Sequence, residues 1–271
     1  MTTGIAGQRA AALSAVVMLA AGASGAAPCG NTAQGFETWK AAFSEEAAAA
    51  GVGARGLAAL GTADYSHSTI SADRNQKSFR YSLEKFMQVR GASTIVAQGR
   101  KRRTRDAAFY DALERRYGVP AGVLIAIHGM ETGFGGFMGD TPVVSAIVTL
   151  TYDCRRSDFF RPHAIGALKL VDRGTITAQT RGARHGELGH TQFLPGNALA
   201  YGVDANGDGR VDFYNLADAM ASTANYLRQK GWQPGLGYQE GEPNFAVIQK
   251  WNAAGVYQKA IALMAAQIDR R

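Results

Sequence analysis

Leu124-Ile125-Ala126-Ile127-His128-Gly129-Met130-Glu131 is an apolar run that closes on a carboxylate. Pro120 stands just before it, which suits the first turn of a helix. Ile127 lies four residues before Glu131 and Leu124 seven, so on a helix the acid shares a face with aliphatic side chains. A carboxylate there meets the negative end of the helix dipole. Apolar neighbours and dipole both disfavour the anion, which raises the proton affinity of the acid. A carboxylic acid that keeps its proton near neutral pH can protonate a glycosidic oxygen. Gly133, Gly135 and Gly136 follow at once, where backbone can approach a ligand closely. The plain alternative is a surface glutamate at a frayed helix end.

Helical spacing extends outward from this run. Phe36, Trp39, Lys40, Phe43 and Ala47 repeat at helical intervals before Gly51, and Phe79, Leu83, Phe86 and Arg90 do the same. Residues 100–105 hold five basic side chains and read as a solvated helix start or loop. Tyr110, Leu113 and Tyr117 carry a helix that Gly118 ends. Residues 174–215 are dense in glycine and read as loops and short elements. Asn215-Leu216-Ala217-Asp218 resembles a capping box that opens a helix through Lys230. Asn244 caps a short helix carrying Trp251 and Asn252, and a last helix runs from about Val256 to Ile268. No tandem repeat breaks the pattern. The expected fold class is mainly α (α+β), a single domain over residues 28–271 with a small β or loop insert at about 174–215.

The chain has 271 residues, 46% of them hydrophobic and 19% charged, so it is not a disordered polyelectrolyte. Its 29 basic and 22 acidic residues leave a charge of +7, which asks for an anionic partner. Residues 1–27 read as a signal peptide. Arg9 gives a positive start, residues 10–21 a short apolar stretch, and Ser24-Gly25-Ala26 a small-residue cleavage site near Ala26. The stretch is too short to span a bilayer, which takes about 20 residues. Cleavage leaves about 245 residues and a charge of about +6. The expected location is the periplasm, which argues against nucleic acid as the partner. In an oxidising compartment Cys29 and Cys154 are expected to pair, the alternative being two buried thiols.

Asp204-Ala205-Asn206-Gly207-Asp208-Gly209-Arg210-Val211-Asp212 matches the first nine positions of an EF-hand loop. The ligands would be Asp204, Asn206, Asp208, the Arg210 carbonyl and Asp212. Position twelve is Asn215 rather than glutamate, which implies weak binding, about 10⁻⁴–10⁻³ M. Asp218 could contribute or could serve the capping box. A tight Asx-turn loop is the alternative.

Four blocks make the sequence specific. His128-Gly129-Met130-Glu131-Thr132-Gly133-Phe134-Gly135 resembles the catalytic motif of the lytic murein transglycosylase B family. Gly186-Glu187-Leu188-Gly189-His190-Thr191-Gln192-Phe193-Leu194-Pro195 resembles its second signature. Ser222-Thr223-Ala224-Asn225-Tyr226-Leu227 with Gly231-Trp232 resembles a third block, and Lys250-Trp251-Asn252 with Tyr257 a fourth. The blocks keep the family's order over roughly residues 28–268.

The resemblance implies a lysozyme-like domain whose substrate is peptidoglycan. It implies cleavage of the β-1,4 bond between N-acetylmuramic acid (MurNAc) and N-acetylglucosamine (GlcNAc) without water, leaving a 1,6-anhydroMurNAc end. Glu131 would be the single acid and base, with no cofactor for catalysis. Arg155, Arg156, Gln192, Tyr226, Trp251, Asn252 and Tyr257 would bind the glycan. Each has a structural alternative, such as arginines paired with Asp153 or Asp158 and tyrosines filling the core. The resemblance extends to the cysteine pair and to a structural calcium or sodium ion in the acidic loop. It implies a monomer acting on glycan strands, with cell-wall or secretion-machinery proteins as further partners.

Five positions depart from the family pattern: tryptophan is commoner at 128, tryptophan-alanine at 184–185, and a serine pair at 196–197. They are expected to touch the groove floor. Two other readings follow. One is a muramidase-type hydrolase with Glu187 or Asp140 as partner; the other is a peptidoglycan-binding paralogue with reduced turnover.

Overall fold

The computed structural model describes residues 1–2, 26–75 and 80–270. Most of the expected signal peptide, and Phe79, lie outside the described residues. Among them, no helix is long and apolar enough to cross a membrane.

The first half of the chain gives α1 (Phe36–Ala49), α2 (Ala54–Gly61), α3 (His67–Arg74), α4 (Leu83–Val89), α5 (Ala92–Arg105), α6 (Ala107–Tyr117) and α7 (Ala121–Thr132). After α7 come β1 (Thr141–Pro142), α8 (Val143–Tyr152), α9 (Ser157–Asp172), β2 (Arg181–Gly182) and α10 (Pro195–Tyr201). The chain ends in α11 (Leu216–Gln229), α12 (Phe245–Trp251) and α13 (Gly255–Asp269). The sheet is one antiparallel pair, Thr141 opposite Gly182 and Pro142 opposite Arg181. The fold is mainly helical, with the expected short elements between residues 174 and 215.

Helix α7 is the centre. Every one of its residues is buried except Glu131. A helix apolar all round must be covered all round, and α13, α5, α6 and α11 all pack on it. Gly122 lets α13 come close: a Cβ there would stand 2.4 Å from the Ala265 carbonyl oxygen. Gly133, at φ 57°, turns the backbone left-handed and ends α7 directly after the acid. A second layer, α8 on α9 with α2 and α10 against α9, forms the opposite wall.

The basic run at 100–105 is the C-terminal half of α5, not a helix start or loop. Positive charge suits that end of the dipole, and tertiary contacts add to it. Arg102 lies 4.0 Å from the Phe134 ring centre, Arg103 pairs with Asp111 at 2.8 Å, and Arg100 Nε donates to the Gln267 carbonyl. The capping box at α11 is half formed. Asn215 Oδ1 accepts from Ala217 N at 2.9 Å, but Asp218 turns to the acidic loop instead.

Candidate active site

A cleft of about 720 Å³ opens between the two layers. Glu131 enters it from the end of α7. Its Oε1 accepts from the Tyr257 hydroxyl at 2.5 Å and from Trp251 Nε1 at 3.2 Å. Tyr257 comes from α13 and is buried; Trp251 ends α12 and rests edge-on against Phe193 and Tyr226. Burial pushes the Glu131 carboxyl up, while the two donors and nearby Arg90 favour its anion. Burial dominates, so the acid keeps its proton to higher pH than a solvated glutamate. The same carboxyl and burial hold the Tyr257 phenol well above its ordinary value, so Tyr257 stays a donor.

The cleft gathers Glu131, Arg156, Gln192, Tyr226, Trp251, Asn252 and Tyr257 from blocks far apart in sequence. Gln192 holds its place in a left-handed backbone, φ 55°, uncommon for a side chain and tolerated where the surroundings enforce it. Its amide donates to the Gly189 carbonyl at 2.6 Å. Tyr226 donates to the Lys250 carbonyl at 2.5 Å, joining α11 to α12.

Arg155 is not among the lining residues. It grips buried Asp73 on α3, with Nε 2.7 Å from Oδ2 and Nη2 2.9 Å from the Asp73 carbonyl. Arg156 pairs with the other oxygen of the same carboxylate while also lining the cleft. The two guanidinium groups hold the Asp73 carboxyl below its usual range, against its burial. Asp153, an anticipated partner, instead takes Arg74 at 2.5 Å.

Sequence reasoning missed Arg90 and Phe159 as lining groups, and Asp73 behind them, whereas Asn197 and His185, among the departing positions expected at the groove, do line the cleft. Phe159 is 52% exposed in the cleft. Glu187 lines the cleft beside His185, whereas Asp140 lies in a separate depression with Asp64 and Arg184.

His128 is not on the cleft floor. It is buried, its Nε2 3.0 Å from His190 Nδ1, so it joins the acid's helix to the second signature. Burial lowers its imidazole to about 3, which keeps it neutral at physiological pH. Thr132 reinforces that joint by donating to the His190 carbonyl at 2.7 Å. Gly196 packs under His163, and Asn197 faces the cleft.

Among the described residues, no group of three or more His, Cys, Asp or Glu side chains comes together to hold a metal. The acidic loop closes on itself instead. Asp204 accepts from Gly207 N and Gly209 N, Asn206 from Asp208 N, Asp208 from Arg210 N and Asp212 from Tyr214 N. Buried Asp218 accepts from Ala205, Asn206 and Asp212 amides. Each side-chain oxygen expected as a ligand, on Asp204, Asn206, Asp208 and Asp212, thus accepts from a loop amide, which is the Asx-turn arrangement.

Cys29 and Cys154 are disulfide-bonded.

Residues 35–242 match the transglycosylase SLT domain, and the chain belongs to that family. Over 132 residues it is 34% identical to membrane-bound lytic murein transglycosylase B of Escherichia coli (strain K12). That alignment covers 47% of this chain and 37% of the relative's length. The crystal structure of SltB3 from Pseudomonas aeruginosa with NAG-NAM-pentapeptide superposes with a TM-score of 0.79 at 28% identity. It covers 88% of this chain and 80% of that one. SltB3 has also been crystallised with NAG-anhNAM-pentapeptide. The Escherichia coli lytic transglycosylase Slt35 in complex with calcium has a TM-score of 0.71 at 20% identity, covering 89% of this chain and 96% of that one, a likeness of fold.

Proposed function

We propose that this protein is a peptidoglycan lytic transglycosylase. It breaks the MurNAc-β-1,4-GlcNAc bond without water and leaves a 1,6-anhydroMurNAc end, with Glu131 as acid and then base. One observation carries the reading. Glu131 is the single α7 residue that is only partly buried, and it enters a cleft with two donors on one carboxylate oxygen. SltB3, similar in fold and 28% identical, binds both a MurNAc and an anhydroMurNAc muropeptide, which supports the same substrate and product here.

In this mechanism the Glu131 carboxyl gives its proton to the glycosidic oxygen as the bond to C1 breaks. The substrate's N-acetyl oxygen covers the positive centre. The Glu131 carboxylate then takes the proton of the C6 hydroxyl as that oxygen closes on C1. Tyr257 and Trp251 donate to the carboxylate between the two transfers. Arg156, fixed by Asp73, takes carboxylates on the lactyl or peptide groups, while Gln192, Tyr226 and Asn252 hold the sugars.

The setting in this reading is the periplasm. Residues 1–27 direct export, and residues 28–271 act as one catalytic domain on glycan strands. The test is mass spectrometry of muropeptides released from purified sacculi. Glu131→Gln should lower the release of anhydro ends by about a hundredfold to ten-thousandfold. Unchanged release by that variant would refute the reading.

A further inference from the structure

Glu187 is a carboxyl that the single-acid chemistry does not use. It stands in the turn between β2 and α10, where Ala183 N donates to the Glu187 carbonyl at 3.0 Å and Gly186 N to the Ala183 carbonyl at 2.9 Å. Its side chain lines the same cleft that Glu131 enters from the other layer. Oε2 accepts from His185 N at 3.2 Å, and the His185 ring stands 3.7 Å from Oε1. That ring is not a strong cationic partner, because burial lowers its proton affinity. Arg156 faces the carboxyl too, but its guanidinium already pairs with Asp73. The remaining facing charge is Glu131, whose field adds to burial in pushing Glu187 up to about 7. Two such carboxyls titrate as a pair.

We propose that Glu187 is a general base for water in this cleft, giving the protein a hydrolytic branch beside the anhydro-forming one. The inference rests on Glu131 being the acid. Glu131 protonates the leaving oxygen and the bond to C1 breaks, as before. In the branch, a water oxygen bonds to C1 and its proton passes to the Glu187 carboxylate. The product is a reducing-end MurNAc. Proton return from Glu187 to solvent and from solvent to Glu131 restores both groups, so one water is added across one bond. Two carboxyls serving one glycosidic bond is the arrangement hydrolytic glycosidases use. A base near 7 is matched to water activation at neutral pH.

The competing role for Glu187 is to cap the turn through His185 N. Glutamine keeps that acceptor and removes the base, so Glu187→Gln separates the two. Sacculi are digested with wild type, Glu187→Gln, Glu187→Asp and Glu131→Gln, and reducing and anhydro ends are counted by mass spectrometry. Wild type should release both kinds of end. Glu187→Gln should lower the ratio of reducing to anhydro ends about tenfold or more, and Glu187→Asp, which keeps a carboxylate, should preserve the reducing ends. The wild-type protein gives a second reading: its ratio should rise as pH passes upward through about 7. No reducing ends from wild type, or an unchanged ratio in Glu187→Gln, overturns the branch and leaves the role of Glu131 standing. Persistence of both products in Glu131→Gln overturns the acid itself.

Discussion

At the scale of the residue, the chemistry depends on which protonation state of Glu131 the cleft favours. Burial favours the acid, and the Tyr257 hydroxyl favours the anion. In the proposed mechanism one group serves both steps, with burial favouring its acid form and the two donors its anion. Removing the hydroxyl tips that balance. Tyr257→Phe withdraws a donor from the carboxylate, so the proton is held to higher pH and the alkaline limb of the pH–rate profile moves upward. Proton donation slows, because the carboxylate it leaves behind is less stabilised, and kcat should fall about tenfold, equivalent to about 1.4 kcal/mol. A profile that keeps its alkaline limb in place would show that the phenol only packs. His128 shows the same physics without catalysis: burial keeps the imidazole neutral, and His190 takes its Nε2.

At the scale of the element, the acidic loop shapes the cleft from behind. Asp218 fixes the amides of Ala205, Asn206 and Asp212. The next residue, Phe213, is buried against Phe193, and its carbonyl accepts from His190 N at 3.0 Å. The loop thereby sets the turn that presents Gln192. Asp218→Ala strands three amides and should cost about 3 kcal/mol, lowering the melting temperature by roughly 6–12 °C. Asp208→Ala is the control: it removes a single bond to Arg210 N and one to the Asn206 amide on an exposed loop, and should cost less than half as much. Equal melting temperatures for the two variants would mean that Asp218 does not brace the loop. Such elements differ in how far sequence reveals them. The apolar run before Glu131 and the glycines at 118 and 133 announce α6 and α7, because period and turn chemistry are local. The gathering of Trp251 and Tyr257 onto Glu131 was legible through their motif blocks. The divergence of Arg155 from Arg156 was not, since it depends on Asp73, which sits 82 residues from Arg155. The basic run misled for a similar reason: Arg105 pairs with the adjacent Asp106, but Arg100 and Arg102 answer to Gln267 and Phe134, which are not local.

At the scale of the whole molecule, the N-terminal segment is tied across the second layer. Cys29 and Cys154 bridge a separation of 125 residues. Gly30 N donates to the Tyr152 carbonyl, Cys154 N to the Gly30 carbonyl, and the Tyr152 hydroxyl to the Thr32 carbonyl. Arg161 pairs with Glu46, and its guanidinium also donates to the Ala27 carbonyl at 3.3 Å. The strap ends directly before Arg155 and Arg156, so it anchors the corner that holds Asp73 and one wall of the cleft. A bridge closing so long a loop restricts the unfolded chain strongly, and its removal should cost about 2–5 kcal/mol. Replacing both cysteines by serine should therefore lower the melting temperature by roughly 5–15 °C, and reduction of the wild-type protein should do the same. The proposed acid, Glu131, lies on α7 in the other layer, so the variant should still form the same products at permissive temperature, with KM for sacculi raised more than kcat is lowered. A loss confined to kcat would place the strap's influence on the chemistry rather than on the arginine wall. A double-serine variant that melts within about a degree of wild type would show that the backbone bonds of Gly30 and Tyr152 hold the segment unaided.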